Sequence, residues 1–167
     1  MAFIKIQYYK TGYGELILGS YEEKLCLCDW RYRKNRETID SRIKKFLKSE
    51  FVEETSTPVQ EAILQLEEYF RRERKEFSIP ILLCGTDFQQ SVWNELLKIP
   101  YGKTETYLGQ AKKMKNEKAI RAVASANGAN AISIMIPCHR VIGSNGELTG
   151  YAGGLPTKKQ LLEIETD

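Results

Sequence analysis

The sequence predicts an α+β protein of two domains, and three observations lead to this expectation. Strand-like segments fill the first 30 residues, an amphipathic helical pattern follows near residue 60, and short helical segments dominate beyond residue 85. The length of 167 residues allows one ordinary domain or two small ones. We therefore expect an N-terminal α+β domain with a connector over 1–84 and a mostly helical domain over 85–167.

The composition narrows the class of protein. Hydrophobic residues make up 42% of the chain and charged residues 28%, and no apolar run is long enough to span a membrane. The opening residues, MAFIKIQYYK, carry Lys5 within their apolar stretch, which is not the pattern of a signal peptide. We expect an intracellular, cytoplasmic protein (nuclear if its source is eukaryotic) that is monomeric and has no membrane partner.

The first 30 residues read as a β-meander. FIKIQYY, ELILGSY and KLCLCDW are strand-like, and a turn is expected at 11–14. Cys26 and Cys28 alternate within the third segment, so both face one side of the sheet, where small apolar thiols usually serve as core packing. Cys84, at the end of an apolar run, receives the same interpretation. The four cysteines have neither the spacing of a disulfide framework nor that of a zinc site.

Two helices are expected to complete the N-terminal domain. A short one spans Ser41 to Lys48, and a longer one lies in TPVQEAILQLEEYFRRERK. In the second, Thr57 is the expected N-cap, Pro58 suits the first helical position, and Gln60 completes a capping box. The stretch KEFSIPILLCG is then expected to run as an extended connector.

The helical domain opens with another capping pattern. Thr86 is followed three residues later by Gln89, Phe88, Val92 and Leu96 line one face, and the helix is expected to stop at the Pro-Tyr-Gly beginning at Pro100.

Two short helical stretches follow, at about 107–115 and 117–127, within a segment that holds seven Lys or Arg against two Glu from 98 to 121. Two short helices joined by a tight turn in a basic region are typical of a helix-turn-helix, which makes nucleic acid a candidate partner. The same pattern more often belongs to a solvated helical pair with lysines on its exposed side.

The last part of the chain combines an apolar run, a glycine-rich stretch and a final helical pattern. NGANAISIMIPC predicts a polar turn and then a buried strand or extended segment that ends at Cys138. VIGSNGELTGYAGG is hairpin-like, with Asn145-Gly146 as its turn, and PTKKQLLEIE predicts a final helix.

Cys138 and His139 are the candidate reactive groups. His139 is the only histidine, and a neighbouring base or cation lowers the thiol pKa from its ordinary ~8.5. In a regular strand the two side chains would face opposite sides, so they cooperate only if the chain bends after Pro137. A buried structural thiol and a cysteine hydrolase remain alternatives. A thiol that accepts a group and never releases it needs activation only once.

The stretch IPCHRVIGSNGELTGYAGG resembles the active-site segment of the O6-alkylguanine-DNA alkyltransferases, the methylated-DNA–protein-cysteine methyltransferases. The resemblance continues in TDFQQSVWNELLKIPYGKTETY, AIRAVASANGAN and LLEIE, from about Gly85 to the C-terminus. It covers the first 84 residues only in length and element order. It implies a small α/β, ribonuclease H-like N-terminal domain and a C-terminal domain of winged helix-turn-helix type.

The resemblance implies direct-reversal DNA repair in a single turnover, without cofactor or metal. The partner would be double-stranded DNA containing O6-alkylguanine, with O4-alkylthymine as a further candidate. Cys138 would accept the alkyl group, His139 would activate it through a water, and Glu165 would orient the imidazole. Tyr107 would donate a hydrogen bond or proton to the guanine, and Asn130 would brace the turn beneath the cysteine.

The resemblance also implies which residues hold the DNA. The recognition helix would contribute to DNA binding and base flipping, with Arg121 filling the space that the base leaves: Arg121, Ala122, Ser125 and Asn127. The pocket for the flipped base would be lined by Val141, Tyr151, Ala152 and Gly153. Base flipping costs a few kcal/mol, so a plug and a pocket are needed beside the nucleophile.

Three positions depart from the family pattern. Ala131 follows Asn130 where a proline is usual, Gln110 stands where an apolar residue is expected, and Ala152 replaces a frequent serine. No second histidine is available for the zinc ligands that some relatives have.

Two other functions are compatible with these residues. One is a DNA-binding module that recognises alkylated bases without removing the group, and the other is a cysteine hydrolase of a small substrate. Turnover separates the hydrolase from an acceptor protein, because only the hydrolase processes many equivalents.

Overall fold

A computed structural model describes residues 2–166. The chain forms two compact units, Met1–Gly85 and Thr86–Asp167. The strands are β1 (Ile4–Thr11), β2 (Gly14–Tyr21), β3 (Lys24–Trp30), β4 (Phe51–Glu53), β5 (Glu105–Thr106) and β6 (Val141–Ile142). The helices are α1 (Arg36–Leu47), α2 (Thr57–Phe70), α3 (Asp87–Leu96), α4 (Tyr107–Lys113), α5 (Ile120–Gly128) and α6 (Leu155–Ile164). The predicted α+β class is confirmed.

The first unit is built on a four-stranded sheet of order β3-β2-β1-β4. The predicted meander is confirmed, since β1 pairs antiparallel with β2 and β2 with β3. β4 was not predicted; its three residues pair parallel with β1 after the crossover through α1. So short a strand carries too little alternation to be seen in the sequence.

The core of this unit lies between the sheet and α2. Leu18, Leu27 and Leu66 are fully buried, and α2 contacts β1, β2 and β3. Cys26 and Cys28 are buried on the sheet as predicted. The connector stays extended, and its backbone pairs with Leu25 at the edge of β3.

The beginnings of both helices in this unit differ from prediction. α1 starts at Arg36, five residues before Ser41, where Arg36 pairs with Asp40 one turn on. The capping box at Thr57 is wrong. Ser56 is the N-cap of α2, Thr57 is already helical, and the Gln60 side chain donates to Gln7 instead.

The second unit begins with a helix whose start matches its prediction, although it ends at Leu96, before the expected stop at Pro100. Thr86 caps α3, its hydroxyl accepts from the Gln89 N–H, and the Gln89 side chain closes the box. Trp93 is buried, and its indole donates to the carbonyl of Ala126 (2.9 Å), which ties α3 to α5. α4 and α5 follow as the predicted short helical pair, joined through a 3-10 turn over Glu117–Ala119.

The apolar run before Cys138 is not a strand. Residues 131–136 form consecutive tight turns in which the Ile136 N–H donates to the carbonyl of Ile132 (3.0 Å) and Ile134 adopts a left-handed φ of 73°. Its apolar side chains are buried all the same. The hydrophobicity of this segment therefore predicted its burial correctly, but without strict alternation it did not establish a strand.

The glycine-rich stretch after Arg140 forms a turn but no hairpin ladder. Gly143 donates to the carbonyl of Glu147 (2.8 Å), and Gly146 takes a φ of 84°, as the predicted turn requires. β6 pairs parallel with β5 instead of with a returning strand. Within residues 2–166, no helix has the length and apolar character needed to cross a membrane.

Candidate active site

Asn130 organises the turn that leads to Cys138. Its side-chain oxygen accepts from the Ile132 N–H (2.9 Å), and its amide nitrogen donates to the carbonyl of Ile136 (2.9 Å) and lies 3.3 Å from the Cys138 Sγ. One buried amide thus holds both ends of the turn and contacts the thiol. The turn forms with Ala131, without the proline usual at this position.

The chain bends at Pro137 and continues as a single 3-10 turn over Cys138–Arg140. The Arg140 N–H donates to the carbonyl of Pro137 (3.0 Å) and closes this turn. In a strand the side chains of Cys138 and His139 would alternate, but in this turn both point inward. Cys138 is 9% exposed, and His139 is fully buried.

Behind the thiol lies a buried ionic cluster. His139 Nε2 lies 2.6 Å from Glu165 Oε2, at the end of α6. Arg140 grips the same carboxylate with two nitrogens, Nε at 2.8 Å and Nη2 at 3.1 Å, and donates with Nη1 to the carbonyl of Ile99 (2.6 Å). Of these three consecutive residues, Cys138 therefore keeps some exposure, whereas His139 and Arg140 both bind Glu165 behind it.

The pKa values of this cluster follow from its burial and pairing. Burial alone raises the pKa of Glu165, but hydrogen bonds from His139 and Arg140 outweigh it and hold the pKa at about 2. Burial lowers the pKa of His139, and its bond to Glu165 offsets this only in part. His139 Nδ1 is buried and has no hydrogen-bond partner among the described residues. A neutral imidazole with a free ring nitrogen is suited to accept a proton.

The other three cysteines differ from Cys138. Cys26 and Cys28 lie in the sheet of the first unit, and burial raises the pKa of both thiols. Burial likewise raises the pKa of Cys84 to about 11. Arg42 lowers the pKa of Cys84, but burial outweighs this effect, so none of these three thiols has a lowered pKa.

The Tyr107 hydroxyl, at the start of α4, faces the loop before α6. It donates to the carbonyl of Thr149 at 3.4 Å. Tyr151 lies edge-on to the His139 ring, with centroids 6.4 Å apart, and Ala152 and Gly153 beside it are half-buried. Tyrosine, imidazole and glycine-rich loop therefore come together in the second unit.

Lys158 belongs to this site but was missed by sequence reasoning. It is fully buried, and its ammonium donates to the carbonyls of Val141 (2.6 Å), Thr149 (2.9 Å) and Gly150 (3.3 Å). Burial lowers its pKa, and attraction to Cys138 opposes that shift. The helical spacing from Lys158 to Leu161 and Glu165 is the signal that could have found it, because the three share one face.

The residues predicted on the recognition helix divide into two groups. Arg121, Ala122 and Ser125 are exposed at spacings that share one face of α5. Asn127 is buried instead, and its side chain pairs with that of Gln110 on α4. The structure therefore brings Asn127 to the helix pair's interior and not to the surface that was expected to meet DNA.

Metal ligands were not predicted. Among residues 2–166, no three His, Cys, Asp or Glu side chains are grouped so that they could hold a metal ion.

Comparison with protein families covers almost the whole chain. Residues 4–83 match the model of the 6-O-methylguanine DNA methyltransferase ribonuclease-like domain, and residues 87–167 match that of the DNA binding domain of the same proteins. The chain belongs to the 6-O-methylguanine DNA methyltransferase family. The resemblance first noted around Cys138 is thereby confirmed and extended to the N-terminal unit.

Individual members of the methyltransferase family are similar over most of their length. The chain is 44% identical over 158 residues to the methylated-DNA–protein-cysteine methyltransferase of Methanosarcina acetivorans, covering 94% of this chain and 95% of that protein. It is 42% identical over 166 residues to the constitutive enzyme of the same name from Bacillus subtilis, covering 93% and 92%.

Solved structures of the family have the same fold. The crystal structure of Mycobacterium tuberculosis O6-methylguanine methyltransferase superimposes with a TM-score of 0.82 at 36% identity, covering 98% of this chain and 93% of that one. The M. tuberculosis protein in complex with DNA gives a TM-score of 0.82 at 37% identity, covering 96% and 92%.

Proposed function

We propose that this protein repairs alkylated DNA by direct reversal, transferring the alkyl group from O6 of guanine to Cys138 once per molecule. The observation that carries the proposal is the placement of Cys138 on the turn held by Asn130, directly ahead of the buried His139–Glu165 pair. Family membership supports the same reaction, since the relatives are named methylated-DNA–protein-cysteine methyltransferases.

The thiol must lose its proton before it attacks. Neutral His139 takes that proton through a water at Nδ1, and Glu165 stabilises the imidazolium that forms. Arg140 keeps Glu165 ionised and fixed, so the carboxylate is ready before the substrate arrives.

Transfer is an in-line displacement at the alkyl carbon. A Cys138 Sγ–carbon bond forms while the carbon–O6 bond breaks, and the electron pair passes to the guanine. The Tyr107 hydroxyl donates a hydrogen bond or proton to the leaving base and so stabilises its charge. The product is restored guanine and a thioether, and because nothing in the step cleaves the thioether, the protein acts once.

The lesion must leave the helix to reach a thiol that is 9% exposed. Arg121, on the exposed face of α5 with Ala122 and Ser125, would fill the gap in the base stack. The flipped base would lie against Tyr151, Ala152 and Gly153, with backbone groups near Val141 and Ala152 reading its edge. Double-stranded DNA carrying O6-alkylguanine is the proposed partner of a monomer; O4-alkylthymine is a further candidate substrate.

The test follows the mass of the Cys138 peptide after mixing the protein with a duplex oligonucleotide that carries O6-methylguanine. We expect a gain of one methyl group, at most one per protein, absent in Cys138→Ser and retained in the matched control Cys84→Ser. Tight lesion binding without any gain would favour a sensor of alkylated DNA. Repeated turnover without a modified cysteine would favour a hydrolase.

A further inference from the structure

Two buried amide side chains join α4 to α5. The Gln110 amide nitrogen donates to Asn127 Oδ1 (2.9 Å), and the Asn127 amide nitrogen donates to Gln110 Oε1 (2.8 Å). Both residues are almost fully buried. Reciprocal bonds require the two amides to face each other within a narrow range of distance and angle, whereas an apolar pair at the same place would tolerate sliding.

The pair is linked along the backbone to the two groups that would act on the lesion, Tyr107 and Cys138. Gln110 is one helical turn after Tyr107 on α4, so the two share a face. At the other end, the carbonyl of Asn127 accepts from the Asn130 N–H (3.2 Å), and Asn130 contacts the Cys138 Sγ (3.3 Å). A continuous path of hydrogen bonds and helix backbone thus runs from Tyr107 to the thiol.

We propose that the Gln110–Asn127 pair positions Tyr107 relative to Cys138 for alkyl transfer. This inference rests on the proposed function. Neither amide meets the substrate; both are positioning residues that fix α4, and with it Tyr107, against α5, which leads to the turn of Asn130. In-line displacement needs the donor to the leaving base and the attacking sulfur held at a fixed separation, so the angle between the two helices becomes part of the chemistry.

Stability and positioning respond differently to substitution at this pair. Removing one amide leaves its partner buried with unmade hydrogen bonds, which destabilises the fold. Replacing both amides by apolar side chains of similar size restores the packing but not the directional hydrogen bonds between α4 and α5. Gln110→Met/Asn127→Leu is such a replacement, with side chains of similar length at both positions.

The experiment compares melting temperature with single-turnover methyl transfer from an O6-methylguanine duplex, at a temperature where every variant is folded. Each single variant should melt below wild type, and the double variant should recover most of that loss. Transfer by the double variant should stay slower than wild type by about 10- to 100-fold. Recovery of the wild-type rate along with stability would overturn the proposal, because the pair would then be structural only.

A double-mutant cycle with Tyr107→Phe tests the route. If the pair acts through Tyr107, replacing the pair should slow transfer little further once the Tyr107 hydroxyl is gone. Fully additive slowing contradicts the proposal. Alkylation of Cys138 by iodoacetamide, which does not need Tyr107, should keep its wild-type rate in the double variant. An equal loss there would show a general disturbance of the thiol and also count against it.

A second comparison remains decisive if the double variant does not fold. Gln110→Met should slow transfer, whereas Val123→Ala, a purely apolar core change on α5, should lower the melting temperature without slowing transfer. Equal rates in these two variants would refute the positioning role. Wild-type protein in the same assay separates the two hypotheses, because absence of transfer there counts against the proposed function itself.

Discussion

At the scale of single residues, the site depends on how three buried charged or ionisable side chains share their partners. Burial raises the pKa of Glu165, but the bond from His139 and the two bonds from Arg140 outweigh it and keep the carboxylate ionised. His139 can then stay neutral and still have an anion to stabilise it once it accepts a proton. Arg140 is therefore the electrostatic anchor of this cluster.

Replacing Glu165 by glutamine should lower the free energy of unfolding by about 3–5 kcal/mol, because Arg140 is left buried without a counter-charge. Urea unfolding at pH 7 measures the effect. Glu163→Gln is the matched control, since Glu163 lies on the exposed side of α6 and should change stability little. Similar losses in the two variants would show that the buried pair contributes nothing specific.

The same cluster predicts how stability depends on pH. The pKa of His139 lies below its ordinary 6.5, so its contribution is complete above pH 6.5 and is lost as the pH falls below that value. The pKa of Glu165 is about 2 against an ordinary 4.5, so its contribution is complete above pH 4.5 and is lost as the pH falls towards 2. The free energy of unfolding should therefore decrease continuously in acid.

Unfolding curves collected from pH 7 to pH 3 test this dependence. Glu165→Gln should flatten the part below pH 4.5, because that variant has no carboxylate to protonate at this position. A wild-type stability that rises on acidification would contradict both assigned directions.

At the scale of elements, α5 separates two tasks on one short helix. Its outer face presents Arg121, Ala122 and Ser125, while its inner face holds Val123 and Asn127 against the rest of the unit. The exposed face is thus free to meet DNA while the buried face is fixed by packing and by the bond to Gln110.

Arg121→Ala should slow alkyl transfer from duplex DNA far more than transfer from a free O6-alkylguanine base, because only the duplex needs its stack filled. Rates of Cys138 modification with the two substrates measure the difference. The matched control is Arg71→Ala, which removes an exposed arginine from the other unit and should affect neither rate. Equal slowing on both substrates would remove Arg121 from base flipping.

At the scale of the whole molecule, charge distribution matters more than its total. The net charge is only +3, but seven Lys or Arg stand against two Glu between 98 and 121. Binding through this segment releases counterions from DNA, and affinity then depends steeply on salt. Lys118 lies one turn before Ala122 and is exposed, so it extends the proposed DNA-facing surface.

Affinity for an undamaged duplex should fall by about 100-fold between 50 and 200 mM salt if three or four phosphates are contacted. Lys118→Ala should reduce the slope of log affinity against log salt by about one, whereas Lys10→Ala, exposed on β1, should leave it unchanged. Salt titrations of binding to a labelled duplex measure both slopes. An unchanged salt slope in Lys118→Ala would show that the DNA does not contact this surface.

Local patterns in the sequence were sufficient for several segments, though not for the start of α2 or the run before Cys138. The meander, the capping box of Thr86 and Gln89, and the short helix pair all follow from alternation, capping chemistry and helical spacing. The residues around Cys138 were distinctive enough to point to the family. These features depend on neighbours within a few positions, which the sequence displays directly.

Tertiary structure decided what depends on partners distant along the chain. Gln110 bonds to Asn127, Lys158 to three backbone carbonyls and Arg140 to Glu165. The partners are separated by 8 to 25 residues along the chain. Periodicity indicates that a position is buried, but a buried polar group is stable only with a specific partner, and spacing along the chain does not identify it. The sequence by itself thus determined the fold class and singled out Cys138 as the candidate reactive cysteine. The three-dimensional packing alone decided which amides, cations and carboxylates surround that cysteine, because those contacts form only when separate elements meet.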